Sequence, residues 1–202
     1  MNILNHYFKS NYNKLAMKNK IIFSFLGALL LVFACRRSNE KSLDEIEKQE
    51  LAKGIRNDNI FHGLYLGMTT EAFADTCRAR HAEGLFDEGG GQTIEYELKN
   101  GELKFLGKVS FYPNFKDNKI SEMPVRFKYS NFDGWNPQMK TDKLLNDVRQ
   151  LMAKWYGDSF FAATLATGFK GFAQVSGNRR IAISVEKDDE VLVLFTDLTV
   201  KK

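Results

Sequence analysis

Cysteine, histidine and proline are scarce in this chain of 202 residues, which contains two cysteines, three histidines and three prolines. Cys77 and His81 lie four residues apart and would share one face of a helix. A zinc site takes about four ligands, and His62 is the only other histidine after residue 34. We therefore predict no metal site, and we interpret the pair as a buried cysteine beside a half-buried histidine.

An apolar run long enough to span a membrane is also missing. The uncharged run over residues 21–34 has 14 residues and follows Lys18 and Lys20. A spanning helix needs about 20 apolar residues, whereas the apolar part of a secretory signal needs about 7–15. We therefore predict a signal peptide over residues 17–34. An uncleaved anchor, or a signal that is cut elsewhere, remains an alternative. Residues 1–16 fit either a start codon assigned too early or an unusually long basic region.

The end of the apolar run, Val32-Phe33-Ala34-Cys35, resembles the lipobox of bacterial lipoproteins. That resemblance implies cleavage before Cys35 and attachment of lipid to its thiol. It also implies a protein held to a membrane of the bacterial cell envelope, and we expect the outer membrane. Cys77 would then be the only remaining thiol, so we expect no disulfide within the chain.

An excess of basic residues is absent once the leader is removed. The whole chain has 29 basic and 25 acidic residues. Residues 1–34 contain four lysines and no acidic residue, so 25 basic residues face 25 acidic ones from Cys35 onward. The high isoelectric point therefore belongs to the leader and does not indicate a nucleic-acid partner.

Motifs for catalysis or cofactor binding are not found. The glycine run 89–91 is followed by Gln92, without the Lys-Ser/Thr pair and helix start that a phosphate-binding loop requires. Glu95 and Glu97 would share one strand face, where solvated side chains are the simpler interpretation than a glycosidase pair. We predict no catalytic residue and no cofactor.

The patterns after Cys35 predict an α+β protein. Residues 35–59 are highly charged and suggest a solvated tether, part of which could be helical. Residues 60–202 predict one domain made of two halves, 60–138 and 139–202. Each half would be a helix followed by three antiparallel strands. The helices would lie on one face of the sheet and form a two-layer domain.

Local signals set the predicted boundaries of these elements. Thr69 is a suitable N-cap for a helix over residues 70–82, and Thr141 for a helix that ends at Tyr156. Alternation predicts strands over residues 93–98, 103–112, 119–130, 169–176, 179–186 and 190–200. Pro124 indicates an edge strand or a bulge.

The pattern G-x-x-L-G-M-T-x-x-x-F, from Gly63 to Phe73, resembles the start of the BamE (SmpA/OmlA) group of small outer-membrane lipoproteins. The doubled helix-plus-sheet plan is similar to the β-lactamase inhibitory protein fold. Both resemblances imply a non-catalytic module that binds another protein.

Aromatic residues in the predicted loops are the candidate binding residues, because aromatic side chains are enriched at interfaces. Packing back onto the core is the alternative for each of them. The candidates are Tyr112, Phe115, Phe132, Trp135, Phe160 and Phe161. The sequence thus favours an envelope lipoprotein that acts as an assembly factor or inhibitor. An envelope hydrolase, a small-ligand-binding protein and a purely structural surface lipoprotein remain alternatives.

Overall fold

The computed structural model describes residues 42–165, 168 and 170–200, and these residues form an α+β fold. The three helices are α1 (Leu43–Ala52), α2 (Thr70–Ala82) and α3 (Thr141–Tyr156). The strands are β1 (Asp87–Glu88), β2 (Ile94–Glu97), β3 (Gly107–Phe111), β4 (Asn114–Lys116), β5 (Lys119–Tyr129), β6 (Phe161–Thr164), β7 (Lys170–Ser176), β8 (Arg179–Lys187) and β9 (Glu190–Asp197). Cys35 and the predicted leader, residues 1–34, lie outside the described residues.

All nine strands belong to one antiparallel sheet, in the order β1-β2-β3-β5-β9-β8-β7-β6, with β4 paired to β5. The predicted α+β class is therefore confirmed. The layout of one helix and three strands per half is not, because five strands precede α3 and four follow it. The unpredicted strands β1, β4 and β6 have only two, three and four residues. Such short strands show little of the two-residue alternation that identifies a strand in a sequence.

Helices α2 and α3 begin in different ways. The Thr69 hydroxyl accepts a hydrogen bond from the amide of Ala72 at 3.3 Å, so the predicted N-cap of α2 is confirmed. In α3 the prediction is wrong: Lys140 holds the N-cap position without a side-chain hydrogen bond. The hydroxyl of Thr141, the first helical residue, instead donates to the carbonyl of Asp188. This distant hydrogen bond competes with local capping.

Helix α1 lies within the segment interpreted as a solvated tether. Ser42 and Glu45 form a capping box at its start. The Glu47 carboxylate forms an ion pair with Arg180 of β8, with 2.7 Å between Oε1 and Nη1. From Ser42 onward the segment is therefore attached to the sheet. The polar composition of the segment does not predict this attachment. The segment docks through charged groups, and no side chain of α1 is completely buried.

The helices do not all lie on one face of the sheet. Successive side chains of a strand point to opposite faces. In β8, Ile181 packs in the core with Val148 of α3, whereas the preceding residue, Arg180, binds Glu47 of α1. Helix α1 therefore lies on the face opposite α3, in addition to the two helices that were predicted on one face.

Strand β5 lies in the middle of the sheet although it contains Pro124. Of the two alternatives predicted for Pro124, the edge strand is wrong, whereas a register shift typical of a bulge does occur close by, where β4 pairs with β5 at Glu122 and Ile120. On one side, Pro124 is in register with Leu194 of β9. On the other side, the pairs with β4 end at Glu122 and those with β3 begin at Val125. The proline thus occupies the gap between two partner strands, where the ladder on that side is interrupted.

The core joins the apolar stripe of α3 to the inner face of the central strands. At its centre, the rings of Phe61 and Phe86 each meet that of Phe111 edge to face, with centroid distances of 5.1 and 5.3 Å.

Within the part of the chain that the structure describes, no helix is both long and apolar enough to cross a membrane.

Candidate functional site

Three of the six candidate aromatics contact other parts of the fold, namely Phe115, Phe160 and Tyr112, although Tyr112 remains 42% exposed. Tyr112 and Phe115 both face Phe73 of α2, and each ring centroid lies 5.9 Å from that of Phe73. Phe160 is half-buried against the core. Phe161 begins β6, so the segment predicted as a loop is an edge strand at this residue.

The remaining two, Phe132 and Trp135, lie in the loop between β5 and α3, residues 131–140, which we call the tryptophan loop. Phe132 is 41% exposed and Trp135 is 95% exposed. A tryptophan loses a large hydrophobic contribution when it stays in water. Its position therefore calls for a structural or functional cause.

The tryptophan loop is ordered by its own side chains. The Asp133 carboxylate accepts a hydrogen bond from the amide of Trp135 at 2.9 Å, and the side-chain oxygen of Asn136 accepts one from the amide of Gln138 at 2.9 Å. These are two successive Asx turns. The Asn136 amide also donates to the carbonyl of Asp133 at 3.0 Å. Trp135 therefore extends from a hydrogen-bonded turn.

A third exposed apolar side chain lies beside this loop. Leu106 is 55% exposed, and its carbonyl accepts a hydrogen bond from the amide of Ser130 at 2.8 Å. The Lys104 ammonium group donates to the side-chain oxygen of Gln138 at 2.8 Å, which joins the two segments again. We call Leu106, Phe132 and Trp135 the tryptophan patch. Leu106 was not predicted, because the sequence places it inside an expected strand.

The support beneath the patch is a carboxylate on α3. Asp147 accepts a hydrogen bond from the Tyr129 hydroxyl at 2.8 Å and another from the Lys104 amide at 3.0 Å. Burial, and then the hydrogen bond to this carboxylate, raise the pKa of Tyr129. One side chain thus connects α3, the end of β5 and the segment before Leu106.

Cys77 and His81 line a shallow cavity of about 460 Å³ with Phe86 and Ile94. Burial raises the pKa of the Cys77 thiol to about 11, so the thiol is protonated at neutral pH and is a poor nucleophile. His81 Nδ1 lies 2.8 Å from the carbonyl oxygen of Phe86, a partner that occupies one ring nitrogen. This arrangement lacks the activated thiolate that a cysteine hydrolase needs.

The other candidates for chemistry are structural. Glu95 forms an ion pair with Lys108 of the neighbouring strand, with 2.9 Å between Oε2 and Nζ. Among the described residues, no group of three or more His, Cys, Asp or Glu side chains could hold a metal ion.

A scan against protein-family models finds no match for this chain, and neither does a search of curated proteins or of solved structures. The resemblances to lipoproteins of the BamE group and to β-lactamase inhibitory protein therefore stay predictions.

Proposed function

We propose that this protein is an envelope lipoprotein, anchored through lipid on Cys35, whose domain binds another protein through the tryptophan patch. The observation that carries the binding proposal is the 95% exposure of Trp135 on a loop fixed by its own hydrogen bonds. An ordered loop loses little conformational entropy on binding, so the exposed aromatic area can contribute to affinity.

The chemistry of the patch favours a protein partner. Tryptophan is enriched among the residues that contribute most to protein–protein affinity, and such residues are typically surrounded by polar groups at the rim. Polar groups surround Trp135 in this way: the Asp133 carboxylate and the Asn136 amide lie in the same loop, and Lys104 bonds to its far end. Assembly into a larger envelope complex and inhibition of an enzyme would both use such a surface.

Capture from native envelopes tests the binding proposal. We expect full-length protein to retain a reproducible partner, and Trp135→Ala to lose most of that partner, roughly tenfold or more for a central aromatic anchor. Val185→Ala is the matched control, because Val185 is also an exposed apolar residue, at 41%, and lies on β8. Equal capture by the Trp135→Ala variant and the wild type would contradict the proposal.

Metabolic labelling tests the anchoring proposal separately. With radiolabelled palmitate, we expect incorporation into the wild type and into Cys77→Ser, and none into Cys35→Ser. The two cysteines of the chain make this a matched pair. Labelling that survives Cys35→Ser would exclude Cys35 as the lipid attachment site, and it would leave the binding proposal untouched.

We also propose that the two halves of the domain are related units. The sheet order supports this: the last strands of the two halves, β5 and β9, are adjacent, and earlier strands lie progressively outward on each side. Strand β4, which has no counterpart in the second half, would then be an addition to the first half.

A further inference from the structure

A second concave site lies away from the tryptophan loop, between the segment before α2, the end of β2 and the end of α3. It has a volume of about 290 Å³, just below the range of ligand sites, about 300–1,000 Å³. Phe61, Tyr96, Trp155 and Tyr156 supply much of its lining. We call it the tyrosine cleft.

The tyrosine cleft contains a buried hydroxyl without a hydrogen-bond partner. Tyr96 is 3% exposed, and its hydroxyl has no partner among the described residues. Two other buried or half-buried tyrosine hydroxyls are paired: Tyr129 donates to Asp147, and Tyr156 donates to the carbonyl of Ile60. Five other buried side-chain atoms of the described residues also lack a hydrogen-bond partner, but Tyr96 is the one residue of this set that lines the cleft. Native proteins leave few buried polar groups unpaired, so this hydroxyl requires an explanation. A bound molecule that accepts this hydrogen bond supplies one.

His62 gives the cleft a strained residue beside that hydroxyl. Its backbone φ is +49°, a left-handed conformation that is uncommon outside glycine. Its carbonyl accepts a hydrogen bond from Arg80 Nε at 3.1 Å, and its ring meets that of Tyr96 edge to face with centroids 4.9 Å apart. Residues held in such conformations cluster at ligand sites.

Charged side chains lie at the rim of the cleft. Glu97 and Lys99 are exposed, and Glu102 also lines the cleft, where its carboxylate accepts a hydrogen bond from the Lys99 amide at 2.7 Å. One positive charge thus faces two negative charges, which disfavours an anionic ligand. Burial lowers the pKa of His62, and the nearby charge of Arg80 lowers it further, so the imidazole is neutral at neutral pH. The interior beside Tyr96 therefore offers no charge to pair with an ionic ligand, and removing a charge from water without a partner is costly.

We propose that the tyrosine cleft binds a small, uncharged, ring-containing molecule whose carbonyl or hydroxyl oxygen accepts a hydrogen bond from Tyr96. The ring of the ligand would lie against the aromatic lining. Its oxygen would be the hydrogen-bond acceptor that the Tyr96 hydroxyl lacks. This site is independent of the protein-binding surface that contains Trp135.

Tryptophan fluorescence provides the test, because the chain has two tryptophans and only Trp155 lines the cleft. In a full-length Trp135→Phe background, we would titrate benzamide, phenol, toluene and benzoate while monitoring Trp155. We expect saturable changes with benzamide or phenol. Toluene, which lacks the oxygen, and benzoate, which is charged, should bind more weakly.

Tyr96→Phe is the decisive variant. We expect it to weaken benzamide or phenol binding about tenfold and to leave toluene binding unchanged, because only the hydrogen bond is removed. Tyr129→Phe is the matched control: it removes a hydroxyl outside the cleft and should leave binding unchanged. Thermal melting of each variant, and ligand-observed NMR as a second readout, separate unfolding from loss of binding. No saturable binding of any probe by the folded protein, or equal affinity in Tyr96→Phe, would overturn the proposal.

Discussion

The two halves of the domain are held together by different kinds of contact. In the first half, residues 60–138, the buried residues are apolar and aromatic. All buried polar or charged residues of the described chain lie in the second half. They are Gln174, Asn178, Arg179, Arg180, Ser184, Glu190, Thr196 and Asp197. The buried residues of the first half are therefore held by packing, whereas the second half combines apolar packing with the pairing of buried polar groups.

Asn178 illustrates the pairing in the second half. It is fully buried, and its side chain accepts a hydrogen bond from the Asn57 amide at 2.6 Å and donates to Asp58 at 2.8 Å and to Asp197 at 3.2 Å. Burial by itself would raise the pKa of Asp197, but hydrogen bonds from Thr199 and Asn178 outweigh it and lower the pKa. The segment that follows α1 thus completes the second half.

The difference shows why a polar segment can be an ordered part of a domain. Residues 42–59 have too few apolar side chains to fold alone. They are ordered because β8 and β9 present buried polar groups that require partners. Leaving such a group unpaired costs more free energy than a hydrogen bond contributes on average to stability. The four predictions below test this contrast in order of decreasing effect.

Phe111→Ala should cause the largest loss of stability. Phe111 is fully buried and its ring contacts Phe61 and Phe86. Removal of a core phenylalanine leaves a cavity, and we expect a loss of about 3–5 kcal/mol in the free energy of unfolding, measured by urea denaturation. Tyr112→Ala, at the adjacent exposed position, should cost less than about 2 kcal/mol. Equal losses would contradict the packing description of the first half.

Asn178→Ala should destabilise the second half and release α1. The variant leaves Asp58 and Asp197 short of a hydrogen bond, and we expect a loss of roughly 1–3 kcal/mol. Hydrogen exchange of the α1 amides should accelerate more than exchange in β3. Asn100→Ala, in an exposed turn, is the control and should change neither. Unchanged protection of α1 would show that its docking does not depend on this network.

Tyr96→Phe should stabilise the unliganded protein by about 1 kcal/mol, because it removes a buried hydroxyl without a partner. Tyr129→Phe should do the reverse, because it deprives Asp147 of a hydrogen bond. Thermal melting of the two variants checks the pair. A lower melting temperature for Tyr96→Phe would mean that the hydroxyl has a partner in the folded protein.

His62 should make stability depend on pH to a small extent. Burial lowers its pKa in the folded state below the ordinary value of 6.5, so the unfolded chain binds the proton more readily. The stabilisation is complete above pH 6.5 and is lost as pH falls through the folded-state pKa. His62→Asn keeps a residue that tolerates the left-handed conformation and should flatten this dependence. If the free energy of unfolding of the variant and of the wild type depended on pH in the same way, this role of His62 would be contradicted.

The same contrast explains which features the sequence could predict. The α+β class and the bounds of α2 follow from local signals such as the Thr69 cap and the burial of Phe73. The docking of α1 does not, since Asn57 and Asn178 are 121 residues apart and nothing near either one indicates the other. The Lys140 cap position and the central location of Pro124 likewise depend on distant partners.

The candidate site was predictable only in part. Trp135 and Phe132 could be chosen because Asp133 and Asn136 mark turns. Leu106 joined them only when the pairing of β3 with β5 brought Ser130 beside it. The Tyr96 hydroxyl could not be chosen, because the absence of a partner is a property of the three-dimensional structure.

Site-specific photo-crosslinking in intact envelopes tests the central claim most directly. A photoreactive residue would replace Leu106, inside the tryptophan patch, or Val185 on the other half; the two are 55% and 41% exposed. We predict a discrete protein adduct from position 106 that disappears with Trp135→Ala, and none from position 185. The same adducts from both positions, or none from position 106, would contradict the assignment of the tryptophan patch as the binding surface.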